Sequence, residues 1–434
     1  MLFWATVNLF ISAGFGYLIK APLVRAYLIL NFVLIIQPMF LWAFFGLAHP
    51  LFQPGNPSYI TGLIFQAFFN LILCLGFLCF MRALPRSRMI KRNVLRHRVN
   101  VSDRYTTITY IIVLLAVFGV LGKLSLAAMG AFRMNEGGGG DSPYLQLLKV
   151  FAGYDLIAIV LLGEIRLSVM RRLRTVNTVL LALILLALAF ALWSGSRSQV
   201  VTVLILTLLG YRDFLRRNWI VMFPSLGLLL PSVFIIFPFL GYYRNSGHSF
   251  SEAIFYLRSA GLDTWDIVVD VILTRLNYSE TYVRVFDAVE RAGPSGGAVY
   301  WNNIIGVIPR VIWPSKPQIA NNSKALGHEL GLVSIDDTNT SIGLQVVGEA
   351  YYEYGWIGLW VAAFQALIFV LIHKNLYYPG NRVAMTIYTM LCFYILQRDG
   401  YFAVVPGLIW QVISFSIFFG LIAFLLPRAK RYAP

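Results

Sequence analysis

Arginine is an awkward residue to leave beside a lipid bilayer, yet this chain places arginines next to short turns at widely separated points. Arg197 lies in "WSGSRSQ", Arg244 in "GYYRNSG", Arg398 in "LQRDG" and Arg258 in "YLRSAG". Arg310 and Lys316 share the stretch "GVIPRVIWPSKPQ", where Pro314 and Pro317 stiffen the backbone around the lysine. A guanidinium offers a planar donor fork that matches phosphate oxygens, and a lysine adds a point charge. The chemistry such a set supports is the binding of a phosphate-bearing ligand. The plainer reading, arginines at helix ends snorkelling into lipid headgroups, applies to any one of them taken alone.

A second set of residues could move a proton. His328 stands in "GHEL", Asp337 follows Asp336 in a Thr/Asn/Ser-rich loop, and Glu349 opens "GEAYYEYGW". A positioned carboxylate or imidazole can accept a hydroxyl proton and contributes about 10² to 10⁴ in rate. Glu349 has an alternative as the structural partner of an arginine, the Asp336–Asp337 pair as loop solvation or a helix cap, and His328 as an exposed helix residue. There is no HExxH and no Asp-x-Asp, so no metal cage is expected, and no cofactor. "GPSGG" (293–297) fits a bare Gly-x-Ser-x-Gly string but lacks a strand-to-helix setting, and it reads as a chain break.

The elements that carry these residues are apolar helices. Of the 434 residues, 59% are hydrophobic and 12% charged, and mean hydropathy is +0.72, outside the range of soluble domains. About 11 runs have the length and apolarity of a membrane span. They lie near 3–19, 26–48, 59–82, 107–130, 145–165, 175–194, 198–211, 219–241, 343–372, 383–397 and 402–426. The expected fold is all-α and polytopic: spans one to eight over 1–241, an outer loop domain over 242–342, and spans nine to eleven with a tail over 343–434. The first run has no basic region before it and reads as a retained helix. Cys74, Cys79 and Cys392 all fall inside spans, which leaves no disulfide framework.

A net charge of +16 would suggest nucleic acid in a soluble protein. Here most of the 35 basic residues occupy alternate connections, around 20–25, 82–104, 166–174, 212–217, 374–382 and 428–431. By the positive-inside rule these connections are cytoplasmic, the N-terminus and the long loop are outside, and the C-terminus is inside. The charge therefore serves topology and contact with anionic membrane lipids, and no nucleic-acid partner is expected. The same topology sets Arg197, Arg244 and Arg398 at one depth on the outer side. A charge at the bilayer centre costs about 2.5 to 3.5 kcal/mol on the insertion scale, less towards the interface.

Within the outer loop, "LDTWDIVVDVILTRL" has helical spacing with Asp263 as N-cap, and a second helix is expected from Ser279 towards Arg291. After the break at 293–297, the prolines at 309, 314 and 317 forbid a continuous helix. Trp301 and Trp313 suit a membrane boundary, so this stretch is expected to lie along the surface. Tyr351, Tyr352, Tyr354 and Trp356 read as an interfacial belt.

"WSGSRSQ", "GYYRNSG", "IPRVIWPSKP", "DDTNTSIGLQVVGEAYYEYGW" and "LQRDG" together resemble the Wzy-type oligosaccharide repeat-unit polymerases of bacteria, over about residues 190 to 400. That resemblance implies a GT-C-like glycosyltransferase of the inner membrane, acting at the periplasmic face. It would transfer glycan from undecaprenyl diphosphate to another lipid-linked repeat unit, with a chain-length regulator as a candidate partner. The family's diphosphate-holding arginines map by position onto Arg197, Arg244 and Arg398, and the Arg-x10-Gly loop pattern quoted for the family is not met. Without an acidic metal cage, the cations are expected to stabilise the departing diphosphate in a metal-independent reaction. An O-antigen ligase-type transferase shares this chemistry. A flippase is the transport alternative; apart from Lys123, Lys149 and Asp155 the non-cytoplasmic charges cluster at or beyond the outer rim, and one long outer loop breaks any internal symmetry, which favours an outer-face enzyme.

Overall fold

A computed structural model describes residues 2–32, 56–85, 101–130, 145–168, 174–194, 196–211, 255, 279–308, 312–315, 322–332, 343–378, 382–397 and 401–425. All regular structure among them is helical. Pro57–Ala83, Thr107–Ala128 and Gln345–Leu376 are long and apolar enough to cross a membrane, and shorter apolar helices accompany them. The architecture is that of a helical membrane protein. The chain divides into two compact units, one formed by Met1–Ile90, Val269–Ile308 and Lys316–Leu408, the other by Lys91–Val268, Pro309–Ser315 and Ile409–Pro434.

The first unit is built on α1 (Leu2–Leu18), α2 (Pro22–Asn31) and α3 (Pro57–Ala83). Asn56 caps α3 by accepting from Ser58 N at 2.9 Å, and Pro57 occupies the first helical position, where a missing N–H costs nothing. The helix stops at Ala83 because Leu84, which precedes Pro85, is extended. Later in the chain come α9 (Ser279–Ala292), α10 (Ala298–Val307), α11 (Asn322–Glu329), α12 (Gln345–Tyr354), a 3₁₀ turn (Gly355–Leu359), α13 (Trp360–Leu376) and α14 (Arg382–Gln397).

Helices α3 and α13 pack side by side and run the same way. Phe65 meets Trp356 at 5.6 Å between ring centroids, Gly76 faces Ala366, and Lys374 Nζ donates to the Leu84 carbonyl. A Cβ on Gly76 would sit 3.1 Å from Ala366 Cβ, so the small residues let the backbones approach. At one end α9 lies on α3. Tyr282 and Phe286 pack over Gly62, Phe286 stacks on Tyr351 at 3.9 Å, and Ser58 Oγ donates to Asp287. The core also holds a ladder of buried polar groups. Tyr282 donates to Gln66 at 2.9 Å, Gln66 to Asn70 at 3.1 Å, and Asn31 to Asn70 at 3.3 Å. Such bonds contribute only about 0.6 kcal/mol each inside a bilayer, but they fix which helix faces meet.

The second unit contains α4 (Val101–Ala128), α5 (Leu145–Phe151), α6 (Tyr154–Ser168), α7 (Arg174–Trp193) and α8 (Arg197–Gly210). The last helix, α15 (Tyr401–Leu425), ends in it. The single span expected over 145–165 is two helices, broken at Ala152–Gly153. Glycines on α4 make room for the break: a Cβ on Gly119 would lie 2.6 Å from Asp155 N, and one on Gly122 3.1 Å from Ala152 N. Ser414 Oγ of α15 satisfies the Val150 carbonyl at 3.0 Å. Asp155, in the first turn of α6, forms a buried ion pair with Lys123 of α4, whose ammonium also lies 5.7 Å from the Phe190 ring.

Two further expectations change. The run 343–372 is broken at Gly355, whose φ of +58° ends α12, and the 3₁₀ turn folds back so tightly that a Cβ on Gly358 would collide with the Ala350 carbonyl. Tyr351 and Tyr352 are buried in the core, not spread in a belt; Trp356 alone among those tested is exposed. The second outer helix begins at Ser279 as expected. Expected helices at 219–241 and 262–276 lie outside the described residues.

Candidate functional site

Helix α12 is apolar except for one stripe. Gln345, Glu349 and Glu353 follow each other at spacing four and therefore share a face. All three are buried, Glu353 completely. The stripe begins under strain: Gln345 has φ +55°, a left-handed conformation that costs a side-chain-bearing residue roughly 1 to 2 kcal/mol, and its buried Oε1 meets no donor. Strain and unpaired polar groups are retained where surrounding packing over-determines them. Here Val347 and Ala350, on the other side of the helix, belong to the core.

Glu353 is held by the turn at 293–297. Ser295 N donates to the Tyr352 carbonyl at 3.0 Å and Gly296 N to that of Glu353 at 2.9 Å. The carboxyl group lies against the Ser295 hydroxyl and the amides of Gly297 and Val299, which open α10. Neither of its oxygens has a donor well aligned on it, so the Ser295 hydroxyl and these amides offset its burial only in part. Gly297, at φ +91°, is the N-cap of α10, and a Cβ there would fall 2.5 Å from Tyr354 Oη. Glycine is required twice over at this position.

His328 sits at the end of α11, which closes in a Schellman arrangement. Leu332 N donates to the Gly327 carbonyl at 2.9 Å and Gly331 N to that of His328 at 3.0 Å, with Gly331 at φ +63°. Leu326 and Leu330 anchor the helix in the core. Tyr352 Oη donates to Glu329 at 2.7 Å, tying α11 to α12. Nδ1 of His328 is buried and has no hydrogen-bond partner. Two of the expected proton-handling residues, His328 and Glu349, thus stand on helices joined by a direct bond.

Of the expected cations, Arg197 is placed by its backbone as the first residue of α8. Trp193 ends α7, Ser194 Oγ donates to the Ala191 carbonyl at 2.7 Å and accepts from Ser196 N at 3.2 Å, and Ser196 caps α8 through Gln199 N. "WSGSRSQ" is therefore the connection of a helical hairpin, as expected. Arg244, Arg258, Arg310, Lys316, Arg398 and Asp337 lie outside the described residues. Among the described residues no three His, Cys, Asp or Glu side chains come together as a metal-binding group. The sequence reading passed over Gln345 and Glu353, although their spacing from Glu349 was available as a signal. The role of "GPSGG" as the seat of Glu353 had no local signal. No protein-family model, characterised protein or solved structure matches the chain.

Proposed function

We propose that this chain is a bacterial inner-membrane glycosyltransferase that polymerises undecaprenyl-diphosphate-linked oligosaccharide repeat units at the periplasmic face. The observation that carries the reading is the buried Gln345–Glu349–Glu353 stripe, tied through Tyr352 and Glu329 to His328. Amides, carboxylates and an imidazole are the groups that align sugar hydroxyls. In the reaction the acceptor hydroxyl oxygen attacks the anomeric carbon, its proton passes to Glu349 or His328, and the bond to the diphosphate breaks. Negative charge grows on the leaving oxygens and calls for positive charge already in place.

The resemblance assigns that second requirement to Arg197, the first residue of α8. A cation at the first position of a helix opposes the macrodipole, at a cost of about 0.3 to 1 kcal/mol, and the cost is relieved when an anion binds the same turn. Arg244, Arg398, Arg310, Lys316 and Arg258 complete the set by the resemblance. Transport of the same lipid-linked sugars is a second reading, favoured by the break at Ala152–Gly153 with its Lys123–Asp155 pair, since interrupted helices with buried charges are a transporter device.

Purified protein in liposomes, given short undecaprenyl-diphosphate repeat units, should convert them to a ladder of longer glycans. The ladder should persist in EDTA. Ladder formation only on restoring Mg²⁺ rejects the metal-independent step, and lipid movement without any ladder selects transport. Transfer of one finished glycan to lipid A core, without elongation, selects a ligase.

A further inference from the structure

Helix α10 was not foreseen, and one of its faces is exposed among the described residues. It is ten residues long, "AVYWNNIIGV", without a charge. At 1.5 Å per residue it extends about 15 Å, half of a hydrocarbon core, so it cannot span a bilayer. Its inner side is fixed. Tyr300 is buried and meets the Tyr354 ring at 5.5 Å, and the amino end is seated on Glu353. The outer side shows Ala298, Trp301 and Ile304, with Trp301 63% and Ile304 47% exposed.

We propose that this face of α10 lies in the headgroup–acyl boundary of the membrane leaflet that borders α12. The argument is continuity. A run of ring contacts leads from Tyr300 to Tyr354, from Tyr354 to Trp360 at 5.7 Å, and from Trp360 to Phe364 at 6.2 Å. Trp360, Phe364 and Leu371 are exposed, and their spacing sets them on one stripe of α13, within a stretch long and apolar enough to cross the membrane. With α13 crossing the membrane, that stripe faces lipid. Trp356 and Ile357 of the 3₁₀ turn are exposed beside its upper end. An uncharged helix tied to that end by a chain of rings, with Trp301 and Ile304 turned outward, presents the tryptophan and aliphatic surface that suits a membrane–water boundary. A water-facing surface would waste this apolar area. The proposal depends on α13 crossing the membrane and is independent of glycosyl transfer.

The test reconstitutes the full-length protein and its Trp301→Phe variant into phosphatidylcholine vesicles, plain or carrying bromine near the headgroup or near the chain end. The emission lost on substitution is that of Trp301. It should be quenched more by the headgroup-proximal bromines than by the chain-end bromines, and little by aqueous iodide. In parallel, Ile304→Cys should react with a membrane-impermeant maleimide in detergent and several-fold more slowly after reconstitution, against the wild-type background from Cys79. Quenching by iodide without quenching by bromolipid overturns the proposal. So does protection of Ile304→Cys already in detergent accompanied by cross-linking between copies, which would make this face a contact with a second chain.

Discussion

Removing one partner of the Lys123–Asp155 pair should harm the fold far more than removing both. The side chains are 11% and 2% exposed, and Oδ1 of Asp155 already lacks a partner, so neither charge can turn to water. In Lys123→Met the Asp155 carboxylate stays buried and uncompensated, a situation that costs about 3 to 5 kcal/mol. In Asp155→Asn the ammonium keeps the Phe190 ring, 5.7 Å away, and a desolvated cation–π contact returns about 2 kcal/mol. That variant should be the milder of the two. The double variant Lys123→Met/Asp155→Asn buries no charge and should be more stable than Lys123→Met alone, leaving a coupling energy of at least about 1.5 kcal/mol, the scale of contacting pairs. Steric-trapping measurements in bicelles give these free energies directly. If the two single losses add up in the double variant, the pair carries no interaction energy and the account of two mutually compensating buried charges fails.

Gly297→Ala should destabilise by more than the roughly 1 to 2 kcal/mol of a left-handed alanine, because its Cβ meets Tyr354 Oη. Adding Tyr354→Phe should recover part of that loss in thermal melts, and no recovery would deny the clash. Gln345→Gly should raise stability by about 1 kcal/mol through relief of strain while lowering glycan elongation; a variant with undiminished elongation separates the strain from the chemistry. Arg197→Ala should reduce elongation severely without lowering the melting temperature, since it removes a cation that opposes the helix dipole. A destabilised Arg197→Ala would assign that residue a packing role instead.

The sequence announces α3, α8 and α9 through local signals: Asn56 and Pro57 at one helix start, paired serines before Arg197 at another, and helical spacing from Ser279. It does not announce the breaks at Gly153 and Gly355. A glycine inside an apolar run is compatible with a continuous helix, and only the neighbouring backbones of α4 and α12 show that it is not one. Helix α10 is too short and uniformly uncharged to announce itself between the break at 293–297 and the proline-rich stretch, and it ends at Val307 with Ile308, the residue before a proline, extended. For the site, Glu349 and His328 were visible as residue types. Glu353 was legible only as a carboxylate four residues on from Glu349; its seat comes from a turn far away in the chain, and long-range contacts of this kind leave no local pattern.

The common direction of α3 and α13 has one more implication, a matter of parity. Two membrane-crossing segments that enter from the same side can be linked only by chain that traverses the bilayer an odd number of times. The five runs expected between Ala83 and Gly343 obey this rule, and any revised count that adds or removes a single traverse there would set the two helices head to tail.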